Sequence, residues 1–145
     1  MPQGARTVAV CLALVVLGLL AVGVVSQTLV RHAVQVIPVV VALLGVSRQT
    51  AWGRPAALGA FALWFLLMVL IWLFLLGIAR IVSGHFTPTE IALTIVIALA
   101  GAIGFGAALR LPRATGRGVS LAIALLFVLL SYGAVWFTYL PFFPH

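Results

Sequence analysis

Apolar runs of about twenty residues, each closed by a short stretch of arginines, glycines or prolines, repeat along this chain. Wound as a helix, a run of that length matches the ~30 Å hydrocarbon core of a bilayer. The runs predict helices over about 8–28, 29–47, 56–82, 88–109 and 119–140, in a single domain over 1–145. The first follows a short basic leader, as a signal peptide would, but its apolar stretch exceeds the roughly 7–15 residues of a signal sequence. It reads as a transmembrane helix.

The second segment is ambiguous. Its uninterrupted apolar part, Val36 to Val46, is too short to span alone, and Arg31, His32, Gln35 and Pro38 crowd its start. As a helix, however, Thr28, Arg31, Gln35, Pro38, Ala42 and Gly45 share one face, with Val, Leu and Ile elsewhere. A polar and small face belongs inside a bundle, because an arginine facing acyl chains costs roughly 2.5–3.5 kcal/mol. The segment is therefore expected to span, giving five helices. As a re-entrant or interfacial segment, residues 29–46 would leave four.

The third segment carries Trp64, Met68 and Trp72 at i, i+4 and i+8, a bulky stripe suited to packing or lipid contact. Ser83-Gly84 is expected to end it, with the glycine in left-handed backbone. Thr87-Pro88-Thr89-Glu90 then reads as a capping box, with proline where its missing N–H costs nothing. Glu90, the only acidic residue, thereby has a structural task. The fourth segment has two rows of small residues, Ala98, Ala102, Gly106 and Ala100, Gly104, Ala108, on nearly opposite sides. Ala98, Ala102, Gly104 and Gly106 are expected to seat neighbouring helices on both flanks. The fifth segment ends in an aromatic belt of Tyr132, Trp136, Phe137 and Tyr139, followed by residues 141–145.

Composition fixes the solvent. Hydrophobic residues make up 66% and charged residues 6%, with mean hydropathy +1.37. Soluble domains carry about 25% charged residues. The fold class is an all-α integral membrane protein, a polytopic transmembrane helix bundle. All 8 basic residues are arginines and the net charge is +7, but they are dispersed along loops with no common stripe. That excludes a nucleic-acid surface and fits anchoring at lipid headgroups. One carboxylate cannot form a paired acid/base site, an aspartyl dyad or a carboxylate metal cage. Gly-x-Ser-x-Gly, His-Glu-x-x-His, phosphate-loop and Cys-x-x-Cys motifs are absent from the sequence. Neither an enzyme nor a metal site is expected. Lone Cys11, inside the first run, is expected to pack as a small hydrophobe.

Charge asymmetry orients the chain. With five helices and the N-terminus inside, Arg6, Arg48, Arg54, Arg110, Arg113 and Arg117 lie inside and only Arg31 and Arg80 outside. A four-helix chain with its N-terminus outside has an equal bias, so the charge rule does not separate them. Both place loop 110–118 in the cytoplasm and the C-terminus outside, and a bacterial inner membrane is the expected location. Only the five-helix arrangement gathers Arg31, His32, Gln35, Arg80, His85, Glu90 and residues 132–145 at one outer face.

Arg31, Gln35, Pro38 and Glu90 form the candidate intramembrane polar site, since ionisable groups within a membrane are functional candidates by default. Pro38 should free the Val34 carbonyl and kink its helix. His32 and His85 are candidate haem or quinone contacts. The expected function is a non-catalytic accessory subunit, assembly factor or scaffold of a larger membrane complex. One alternative is a small homo-oligomeric transporter or channel lined by Arg31, Gln35 and Pro38. A second is a haem- or quinone-binding protein; otherwise no cofactor is expected. The expected partners are the bilayer and other membrane subunits or a second copy, with no nucleic acid.

Overall fold

A computed structural model describes residues 1–143. They form six helices: α1 (Gln3–Val25), α2 (Leu29–Gln35), α3 (Ile37–Ser47), α4 (Gly53–Leu75), α5 (Pro88–Arg110) and α6 (Arg117–Phe137). Four of them, α1, α4, α5 and α6, are long and apolar enough to cross a membrane. The short α2 and α3 are one apolar element bent by 44°, which makes five if counted as a single span. At 1.5 Å per residue, residues 29–47 extend roughly 28 Å, enough to reach from one end of the bundle to the other.

Long-range contacts show that they do reach. Gly4, at the start of α1, lies against Leu111, just past the end of α5. Arg54, at the start of α4, bonds the carbonyls of Ala108 and Leu109 in the last turn of α5. The N-terminal ends of α1 and α4 therefore share one end of the bundle. At the other end Gly23 of α1 meets His32 of α2, and Trp72 of α4 meets Thr94 near the start of α5. The α2–α3 pair must carry the chain between the two ends. Arg6, Arg48, Arg54, Arg110, Arg113 and Arg117 fall at or beside the Arg54 end, and Arg31 and Arg80 at the opposite one.

Backbone chemistry sets the helix ends. Thr87 accepts from the Glu90 N–H at 3.3 Å, and the Glu90 carboxylate accepts from the Thr87 N–H at 2.7 Å, completing the capping box that starts α5. The end of α4 differs from the sequence expectation. Gly77, not Gly84, takes the left-handed backbone (φ 72°), and its N–H and that of Ile78 bond Phe74 and Leu73 carbonyls. This Schellman stop ends α4 after Leu75 and leaves residues 76–87 as a loop. The same motif ends α1 at Gln27 and α3 at Gln49, both with positive φ.

The core runs along the bundle from Val8, Leu12 and Val15 of α1 through Val39 and Ala42 of α3 to Ala60 and Phe61 of α4 and Ile97 and Ala100 of α5. Cys11 is buried in it. Helix α5 lies between α1 and α4 and makes no close backbone contact with α6. The second small row seats it: Ala100, Gly104 and Ala108 are buried, and a Cβ on Gly104 would collide with the Phe61 ring. The first row does not behave as expected. Ala98 is partly buried, but Ala102 is exposed and a Cβ on Gly106 would meet open space. Both line a surface hollow with Gln3, Gly4 and Thr7 instead. The two rows look alike in sequence, and α1 covers only one edge of the first.

Candidate functional site

The bend at Val36 creates the site. Pro38 has no N–H to offer the Val34 carbonyl, and its ring crowds the preceding turn, so the helix breaks there. Below the break α3 packs closely on α4; above it α2 stays with α1 and α6 and makes no close contact with α4 or α5. The gap is a cavity of about 530 Å³, within the usual range for small-molecule sites. Loop 76–87 borders its mouth through Ile81 to Phe86. Had α4 continued to residue 82, that border would be absent.

The cavity is amphiphilic. Leu19, Val22, Trp64, Met68, Ile71 and Ile97 make its depth apolar, while Ser26, Thr28, Arg31, His32, Gln35, His85 and Glu90 place polar groups around its upper part. Leu12, Val15, Val39, Ala60, Phe61 and Ala100 close the bundle beneath it, each at most 4% exposed. The cavity is blind.

Each expected polar residue has a defined setting. Gln35 is buried and donates from Nε2 to Thr138 Oγ1 at 2.8 Å; Thr138 in turn donates to the Val135 carbonyl. Gln35, Pro38, Ala42 and Gly45 are all buried, so the small and polar face of this segment points into the bundle. The Arg31 guanidinium carbon lies 4.9 Å from the centre of the Tyr139 ring, a cation–π distance. His32 Nδ1 lies 3.1 Å from both the carbonyl oxygen and the hydroxyl of Thr28, which tie the ring back to its own helix. His85 is exposed on the loop. Glu90 is 8% exposed, and one carboxylate oxygen, Oε2, accepts from both the N–H and the hydroxyl of Thr87.

Thus Arg31, His32, Gln35, His85 and Glu90 line one cavity, and Pro38 shapes it without lining it. Of the outer-face group expected from sequence, Pro144 and His145 lie outside the described residues. Three contributors carried no sequence signal of their individual partners. Thr138 and Tyr139 fall within residues 132–145, expected at this face, but nothing in the aromatic tail marks them as the partners of Gln35 and Arg31. Trp72, from a stripe that reads as packing, donates to Thr94 Oγ1 at 3.1 Å on the cavity wall. Arg54 is likewise more than a headgroup anchor: it is 9% exposed and caps α5. The signal for it was the end of α5, where Leu111-Pro112 supplies neither a glycine nor an N–H at 112 to close the last turn.

Comparison with known protein families, with curated proteins and with solved structures finds no match for this chain.

Proposed function

We propose that this chain is a five-span integral membrane protein that binds an amphiphile, without catalysis, in the cavity between α2, α4 and α5. The single observation carrying this reading is the cavity itself, apolar in its depth, polar around its upper part and blind below. A molecule with a polar head and an apolar body matches that gradient, because each part exchanges its own environment for a like one. The reading keeps the non-catalytic character expected from the sequence and gives it a ligand. It also favours binding over conduction, since a pore needs a continuous path and the core below is filled.

The membrane supports the same reading. Leu121, Leu125 and Leu129 of α6 are all more than half exposed, and aqueous solvent would leave too much apolar surface uncovered. The arginine-rich end then faces the cytoplasm and the cavity opens at the outer face.

The test is extraction of bound amphiphiles from protein purified in mild detergent, quantified per chain. Close to one tightly held molecule per chain is expected, and Ile71→Trp or Leu67→Trp, which fill the cavity from its wall, should remove it. Equal retention by the parent and both filled variants would refute the assignment.

A further inference from the structure

The cavity holds one positive and one negative side chain on different walls. Arg31 reaches it from α2, and Glu90 from the first turn of α5. The backbones of these two helices do not approach one another, and both side chains line the cavity, so a molecule filling it is placed to meet both charges. Glu90 is held by its cap through Oε2, which leaves Oε1 as the carboxylate's acceptor towards a ligand. The guanidinium has five N–H donors and is suited to phosphate oxygens. A wholly anionic head would meet repulsion at Glu90, and a wholly cationic one repulsion at Arg31.

Resting on the amphiphile reading above, we propose that the ligand's head is a zwitterion with phosphate and a primary ammonium, the chemistry of a phosphoethanolamine group. The phosphate faces Arg31, and the ammonium donates to Glu90. A trimethylated ammonium carries the same charge but has no N–H to donate, so the site should distinguish the two. The source is the surrounding leaflet. Of the lining residues, Ile81 of the loop and Tyr139 after α6 are 72% and 65% exposed, and Leu76, Ile78 and Phe142 of the same two segments are 64–72% exposed. Large apolar side chains displayed there place the mouth among lipid headgroups and not in bulk water.

Glu90→Gln makes a clean probe, because glutamine still accepts at the N3 position of a capping box while the charge is lost. The experiment is native mass spectrometry of the full chain with an equal mixture of phosphatidylethanolamine, phosphatidylcholine and phosphatidylglycerol bearing identical acyl chains. Phosphatidylethanolamine should be retained at least about tenfold over either competitor, the ratio that 1.4 kcal/mol supplies. Glu90→Gln and Arg31→Gln should each bring the ratios close to one. Equal retention of the three lipids, or an unchanged preference in Glu90→Gln, would overturn the zwitterion assignment. If equal retention is nonetheless lost in Ile71→Trp, the amphiphile reading stands alone; if Ile71→Trp changes nothing, that reading falls too. Free phosphoethanolamine at millimolar concentration should not displace the lipid. Displacement would overturn the leaflet as the source.

Discussion

Replacing Gly59 with alanine measures how tightly α4 and α6 are held. A Cβ on Gly59 would fall inside contact distance of the Ala124 carbonyl oxygen and 2.9 Å from Phe127 Cβ. The first obstacle is backbone, which cannot rotate aside as a side chain can, so the two helices would have to separate. Overpacking of this kind costs about 1–3 kcal/mol. Alanine also raises helix propensity by about 1 kcal/mol, which would mask part of the loss. Gly106→Ala supplies the reference: it makes the same exchange inside a helix but meets nothing within 4 Å. The difference between the variants cancels propensity and leaves packing, a roughly 5- to 150-fold change in the unfolding constant for 1–3 kcal/mol. Titration of sodium dodecyl sulfate into mild-detergent micelles, followed by circular dichroism, reads it out. Gly59→Ala should unfold well below the parent and Gly106→Ala at or above it. Coincident midpoints for the two variants would refute the backbone-contact argument.

Arg54→Met keeps the unbranched apolar stem of the side chain but removes the donors at 3.0 Å and 3.3 Å from the Ala108 and Leu109 carbonyls. With bonds from a charged group worth about 1.5–3 kcal/mol each and not additive, the same titration should show a loss of roughly 2–3 kcal/mol. For the buried pair on α2 and α6, Thr138→Val should cost more than Gln35→Leu, because it strands the amide whereas the Thr138 hydroxyl keeps its bond to Val135. A double-mutant cycle should return a coupling of about 0.6 kcal/mol and at most about 1.7, the mean and maximum for side-chain bonds between membrane helices. A coupling of zero would mean the bond contributes nothing.

Local features of the fold were legible in the sequence. Length and hydropathy locate α1, α4, α5 and α6, and the spacing of Thr87, Pro88 and Glu90 specifies a cap that forms as expected. The face shared by Gln35, Pro38, Ala42 and Gly45 also follows from helical spacing alone. Long-range relations were not legible. Whether residues 29–47 pass from end to end depends on Gly4 meeting Leu111 and Arg54 meeting Ala108, contacts that no local pattern encodes. The stop at Gly77 was hidden because apolar residues continue on both sides of Arg80 to Val82 and hydropathy does not register backbone handedness. The polar residues of the site could be named individually. Their assembly could not, because the cavity arises from a bend whose angle depends on which helices hold α2 and which hold α3.

The bond between Gln35 and Thr138 spans 103 residues, and it sets a timetable. At about 5–20 residues per second, a ribosome needs roughly 5–20 s to travel from one to the other. For that interval the Gln35 amide has no partner from α6, while α3, α4 and α5 are being made. In the five-span arrangement proposed above, an unbonded amide left in hydrocarbon is costly, so the nascent segment should stay close to water or to the insertion machinery until the last helix arrives. The second segment to be synthesised is then the last to settle.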